Sequence, residues 1–150
     1  MIPQLLIAVG LAAAAAVVAA VLRHRQPVPA PTQPAWQAPA QLDRADFAQP
    51  DAPYLVAVFT SETCRSCSDM AEKAAVLASS QVAVDVVEVT QRRDVHRKYA
   101  VDAVPMVVVA DRHGVVGASF IGPASATDLW AAVAEVREPG SSPEPGLGRG

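Results

Sequence analysis

Tyr54-Leu55-Val56-Ala57-Val58-Phe59-Thr60-Ser61-Glu62-Thr63-Cys64-Arg65-Ser66-Cys67 is the stretch whose reading decides the fold. Its first seven residues form a nearly continuous apolar run, the pattern of a central strand covered on both faces. A short polar turn follows and delivers two cysteines separated by two residues. Beyond them Cys67, Met70, Ala71, Ala74 and Ala78 share one face at i, i+3, i+4 spacing, which predicts a helix to about Ser79.

Working outward, Val82 to Val89 (VAVDVVEV) reads as a second, β-branched strand. Thr90 is suited to cap a helix reaching about Ala100, with Val95 and Tyr99 on one face. Pro105 precedes a third strand, Met106 to Ala110. Asp111-Arg112-His113-Gly114 is a hairpin turn signal in which glycine supplies positive φ. Val115 to Ile121 pairs back, Gly122 and Pro123 break the chain, and Ser125 to Val136 is an amphipathic helix carrying Leu129, Ala132 and Val133. Upstream, Asp43 to Ala48 reads as a short helix with Asp43 as N-cap, stopped by Pro50 and Pro53. The chain is thus read as α/β, in the order β-α-β-α-β-β-α, with the domain at 43–137.

The flanks differ in composition. Hydrophobic residues make up 51% of the 150, and the excess sits in the first two dozen. Ile2 to Leu22 carries no charged side chain. At about 1.5 Å per residue it spans roughly 30 Å, a bilayer core, so 2–22 is read as a single transmembrane helix. A cleaved signal peptide is the rival reading, but only the amino group of Met1 is available for its basic region. Arg23 and Arg25 flank His24 just after the span, and positive residues prefer the cytoplasmic side. The domain is therefore placed in the cytoplasm, with an extracytoplasmic arrangement kept open. The linker 23–42 holds Pro27, Pro29, Pro31, Pro34 and Pro39, a spacing that favours an extended stalk, simple disorder being the alternative. Residues 138–150 are Pro, Gly and Ser rich and read as a disordered tail. A net charge of −3 leaves no nucleic-acid footprint.

Two cysteines are too few and too close for a stapled secreted scaffold. Such a pair is a redox couple or half of a metal site.

The strand YLVAVFT, the turn TSETCRSC, the segment RKYAVDAVPMVVV, the turn DRHG and FIG before the last helix together resemble thioredoxin, from about Tyr54 to Val136. The anchored layout looks like membrane-tethered thioredoxin-like proteins of high-GC, actinobacterial type. The resemblance implies a thioredoxin fold, Cys64 as the attacking cysteine and Cys67 as the resolving one. It makes Val104-Pro105 the cis-proline dipeptide beside them, and Gly122 the glycine lining the substrate groove.

These residue types suit thiol–disulfide exchange, which needs a thiolate. Cys64 at a helix start, with Arg65 adjacent, should have a depressed pKa. Cys67, one turn on, reaches the Cys64 sulfur but not bulk solvent. A cis Val104-Pro105 bond would offer the Val104 backbone to a bound substrate strand. Three departures from the family are plain. Thr63 stands where it has Trp, Arg65-Ser66 where it has Gly-Pro, and Val58 where its buried proton-accepting acid lies. Without it, deprotonation of Cys67 must use water or another group; Asp85 and Glu88 on the neighbouring strand are candidates, although a charged residue there more often faces solvent. Loss of the proline should alter the reduction potential, in a direction the sequence leaves open.

The remaining residues have plainer readings. His24, His96 and His113 are read as surface residues, since none has a second ligand at metal spacing. Trp36 is either an interfacial anchor or a linker residue, Trp130 packs on the final helix, Tyr99 and Phe59 are core, and Lys98 is solvated. The functional reading is a thiol–disulfide oxidoreductase acting near a membrane on protein or small-molecule thiols and disulfides. It implies no cofactor and no resident metal. The alternatives are a copper- or zinc-handling module, for which Cys64 and Cys67 would be half a site, and a peptide-binding module with an inert pair.

Overall fold

A computed structural model of the chain describes residues 37–141. The expected transmembrane helix 2–22, the linker as far as Trp36 (His24 included) and the tail from 142 onward lie outside the described residues. Among the described residues no helix is long and apolar enough to cross a membrane.

The elements are β1 (Tyr54–Thr60), α1 (Arg65–Ala75), β2 (Val82–Glu88), α2 (Arg93–Lys98), β3 (Met106–Asp111), β4 (Val116–Ile121) and α3 (Ala126–Arg137). Their order is the one the sequence predicts. The sheet runs β2-β1-β3-β4. The β1–β2 pair is parallel, whereas β1–β3 and β3–β4 are antiparallel. β1 is central, so alternate side chains enter two different cores. Val56 and Val58 pack with Met70 and Ala74 of α1 and Leu129 and Val133 of α3. Leu55, Ala57 and Phe59 pack with Phe47, Val95 and Tyr99 on the other face. That double coverage explains why the run lacks polar alternation.

Several boundaries differ from the sequence reading. α1 stops at Ala75, because the N–H groups of Leu77 and Ala78 tighten onto the carbonyls of Ala74 and Ala75. Leu77 is buried there and Ala78 is exposed. Thr90 does not cap α2, whose N-cap is Arg92. The Thr90 hydroxyl donates instead to the Glu88 carboxylate, as do the N–H groups of Thr90 and Gln91. α3 is capped by Ser125 in a capping box with Asp128.

Asp43 caps a 3-10 helix of only Arg44–Asp46, accepting from the Ala45 N–H at 3.0 Å. Just before it, Leu42 is in the core and donates its N–H to the Gly114 carbonyl at 2.8 Å. Gln41 bridges Val115. Gly114 has φ +76°, and a Cβ there would lie 1.9 Å from the Leu42 carbonyl oxygen. Only glycine permits this approach.

Two side chains overturn their sequence readings. His96 is buried, not on the surface. Its Nε2 donates to the Val87 carbonyl at 2.8 Å, and its ring meets Phe59 edge to face at 5.2 Å. The Val87 carbonyl gives the ring a hydrogen-bond partner inside the core, and the Phe59 ring packs against it. Trp130 is 55% exposed rather than packed, because Leu129, Ala132 and Val133 form the inward stripe of α3. Lys98 is exposed on α2, as the sequence reading has it, and its Nζ lies 2.6 Å from Asp46 Oδ2.

Asp46 also accepts from the Tyr99 hydroxyl, which in turn accepts from the Asp43 N–H at 2.9 Å. The Lys98 ammonium and then the Tyr99 hydroxyl hold the Asp46 carboxyl below the ordinary aspartate value of 3.8. A lowered folded-state pKa contributes stability that is complete above the unfolded value and fades as pH falls through the folded one. Asp46→Asn should therefore lower the urea midpoint at neutral pH and have a smaller effect at about pH 3. Equal losses at both pH values would show that the carboxylate charge is not what holds this corner.

Candidate functional site

The site lies at the C-terminal end of β1. After Thr60 the chain turns, with the Cys64 N–H bonded to the Ser61 carbonyl at 3.0 Å, and α1 begins at Arg65. Cys64 is the N-cap of α1, its side chain makes no capping bond, and the first turn holds no acidic residue. Its sulfur therefore sits where the unpaired backbone N–H groups and the helix dipole favour negative charge.

Cys64 and Cys67 are joined as a disulfide, with a Cα–Cα separation of 5.4 Å. Their exposures differ. Cys64 is half-buried at the rim, whereas Cys67 is 3% exposed, on the inner face of α1 with Met70 and Ala74. Arg65 projects from the first turn and is exposed. The hydroxyl of Ser66 lies 3.7 Å from Cys64 Sγ, a contact that nothing in the sequence signals beyond the residue type.

A groove of about 410 Å³ opens between the cysteine turn and β2, lined among others by Cys64, Cys67, Glu62, Arg65, Val86 and Glu88. Val86 is the register partner of Val58, and both are apolar. Asp85, offered as a proton acceptor from sequence, is excluded from this place. It pairs with Ala57, so its side chain leaves the other face of the sheet. There it accepts from the Ala48 N–H and from Arg92, each at 2.9 Å.

Glu88 does line the groove, but its carboxylate is engaged. One oxygen accepts from the Glu62 N–H at 3.2 Å and the other from Thr90 and Gln91. These bonds, that of the Thr90 hydroxyl foremost, hold its pKa below the usual glutamate value. Glu88 thus remains a carboxylate that clips the cysteine turn to the end of β2, and it is a poor proton acceptor near neutral pH.

Val104, Pro105 and Gly122 stand on the other side of β1. The Val104-Pro105 bond is cis. Met106 pairs with Phe59 and with Ile121, so Pro105 comes level with Thr60 at the end of the strand that leads to Cys64. The Gly122 N–H donates to the Pro105 carbonyl at 2.8 Å. Gly122 has φ +95° and open space where a Cβ would project. These residues lie at the β3–β4 side of the end of β1, whereas the 410 Å³ groove that holds the cysteines opens toward β2. Among the described residues no group of three or more His, Cys, Asp or Glu side chains is placed to hold a metal ion.

The geometry can be set beside known proteins. Residues 55–122 match a family described as thioredoxin domain. No curated protein matches the sequence. A mutant thioredoxin from Halobacterium salinarum NRC-1 superposes with a TM-score of 0.53 at 20% identity, over 59% of this chain and 78% of that one. The X-ray structure of Fasciola hepatica thioredoxin gives a TM-score of 0.51 at 27% identity, over 59% of this chain and 85% of that one. A structure titled only as a malarial protein gives 0.51 at 16% identity, over 56% and 97%. The matched span contains the cysteine turn, the cis-proline and Gly122. The described domain therefore has a thioredoxin-like fold, with the Cys64–Cys67 disulfide at the head of its first long helix.

Proposed function

We propose that the chain is a thiol–disulfide oxidoreductase, tethered to a membrane through residues 2–22, that exchanges its Cys64–Cys67 dithiol/disulfide with protein or small-molecule thiols. The observation that carries this reading is the unequal setting of one bonded pair: Cys64 at the rim and Cys67 3% exposed beneath it. A structural staple gains nothing from one accessible sulfur at a helix N-terminus, whereas exchange requires one.

In the reducing direction the Cys64 thiolate attacks a substrate disulfide. A bond forms between Cys64 Sγ and one substrate sulfur, and the other substrate sulfur leaves as a thiolate that takes up a proton. Cys67 then loses its proton and attacks Cys64 Sγ. The intramolecular disulfide forms, the second substrate thiolate leaves, and two electrons have passed to the substrate. Val58 and Val86 offer no base, and Glu88 is held as a clip. The Cys67 proton therefore passes to water in the groove. Oxidation of a substrate dithiol is the same sequence reversed. Arg65 favours the Cys64 anion, and the Val104 backbone and Gly122 border the place where a substrate strand would lie.

The direct test is alkylation of the reduced full-length protein by iodoacetamide across pH, combined with insulin reduction. A Cys64 midpoint well below the free-cysteine value of about 8.5, with turnover, supports the reading. A midpoint near 8.5 and no exchange with insulin or glutathione would remove it. Tethering is tested separately. Full-length protein should stay with membranes after carbonate extraction, and a chain starting at Gln26 should not. Release of both would remove the anchor but leave the chemistry standing. Reporter fusions at both ends decide whether the domain faces the cytoplasm, as Arg23 and Arg25 suggest.

A further inference from the structure

The hydroxyl of Ser66 lies 3.7 Å from Cys64 Sγ, in a half-buried position inside the Cys-x-x-Cys turn. A disulfide sulfur bears no proton, so in this contact the hydroxyl must be the donor. Ser66 is the second residue of α1 and Cys64 is its N-cap. The helix start thus sets a side-chain O–H at a sulfur that already lies in the favourable field of the helix dipole. From this geometry we infer that Ser66 is a thiolate-stabilising residue of the exchange reaction, acting on the sulfur that alternately attacks and leaves. The inference rests on the oxidoreductase reading above.

The physical reason is differential. A disulfide sulfur is a weak neutral acceptor, whereas a thiolate is a charged one, and hydrogen bonds to charged acceptors are much the stronger. The O–H···S contact therefore gains strength when the Cys64–Cys67 bond opens and leaves Cys64 anionic. Three consequences share this cause. The thiolate fraction of Cys64 rises. Cys64 departs more readily from a mixed disulfide, because a lower-pKa sulfur is a better leaving group. The reduced form is stabilised relative to the disulfide, so the pair becomes more oxidising. A proline in this place would supply none of these effects, having no hydroxyl and no N–H. The direction left open by the Arg65-Ser66 sequence is thereby assigned: the serine shifts the couple toward easier reduction.

Arg65 acts on the same sulfur through charge alone and projects into solvent, where salt screens it. The Ser66 contact is short-ranged and insensitive to salt. This separates the two contributions experimentally.

The test uses the full chain and three substitutions, with the Cys64 thiolate followed by its ultraviolet absorbance against pH and the potential by equilibration with glutathione. In Ser66→Ala the midpoint should rise by up to about one pH unit, a loss of up to tenfold in thiolate below the midpoint. The equilibrium should move about threefold to tenfold toward the disulfide, that is by about 15–30 mV. Ser66→Gly removes the same hydroxyl with the opposite helix preference, and should shift the midpoint equally. Ser66→Thr keeps the hydroxyl and should restore both readouts. These shifts should persist at high salt. A structural role alone would move the melting temperature, oppositely for Ala and Gly, and leave the midpoint where it was. A low wild-type midpoint that Ala, Gly and Thr all leave unchanged overturns the role of Ser66 while the oxidoreductase reading survives. A wild-type midpoint near 8.5 with no exchange removes both.

Discussion

Cys67→Ser protein accumulates covalent mixed disulfides through Cys64, while Cys64→Ser protein forms none and loses exchange with insulin entirely. The two sulfurs lie in one bond, but only Cys64 is at the rim. With Cys67 removed, the first attack proceeds and the mixed disulfide has no resolving thiol within reach. The serine hydroxyl is not acidic enough to replace it. With Cys64 removed, the remaining thiol is 3% exposed, against the inner face of α1. An incoming disulfide cannot reach it without opening the helix start, and no donor array favours its anion. Non-reducing electrophoresis followed by mass spectrometry of the trapped partners measures the first outcome, and insulin turbidity the second. Trapping that is equal in both variants would mean that the sulfurs are equivalent, and the asymmetry on which the mechanism depends would be wrong.

The strands were legible in the sequence because their chemistry is local. A seven-residue apolar run such as Tyr54–Thr60 is tolerated only where both faces are covered, and β1 is covered on both. The positive φ of Gly114 follows from its turn, although the turn does not disclose that Leu42 presses against it. Pro39 and its neighbours read as linker by composition, yet Ala40 accepts from the Val116 N–H at the margin of β4. Backbone pairing at a sheet edge leaves little trace in side-chain pattern.

Buried polar residues were the least legible. His96 is polar by type and satisfied only by groups from other elements, the Val87 carbonyl and the Phe59 ring. Arg44 is likewise buried, donating to the Ala52 carbonyl at 2.9 Å and the Gln49 carbonyl at 3.1 Å. Nothing near either residue in sequence foretells these partners. At the site, the cysteines were identified by spacing. Glu88 was only a charge on a strand until its four donors were in view. Ser66 was only the absence of a proline.

Phe59→Ala should be the most destabilising change in the domain that leaves the cysteines untouched, costing about 3–5 kcal/mol. Phe59 is fully buried and meets Phe47 edge to face at 6.4 Å and His96 edge to face at 5.2 Å. Its removal leaves an aromatic-sized cavity between β1 and α2. The surroundings cannot collapse into it readily, because Val87 and Met106 flank it on both neighbouring strands. The His96 ring would lose its apolar face while its hydrogen bond to Val87 still holds it in place, so the cavity would be bordered by a polar group that water could reach only by disrupting the core. For a domain of about 100 residues such a loss lowers the melting temperature by more than about 10 °C. Phe59→Leu, which conserves most of the volume, should cost considerably less. Urea unfolding followed by far-ultraviolet circular dichroism measures both. The disulfide exchange of the folded fraction should be little changed, since Phe59 faces away from α1. A cost below about 1 kcal/mol for Phe59→Ala would mean that the second core face is not packed as described, and that the fold is held chiefly by the α1–α3 side of the sheet.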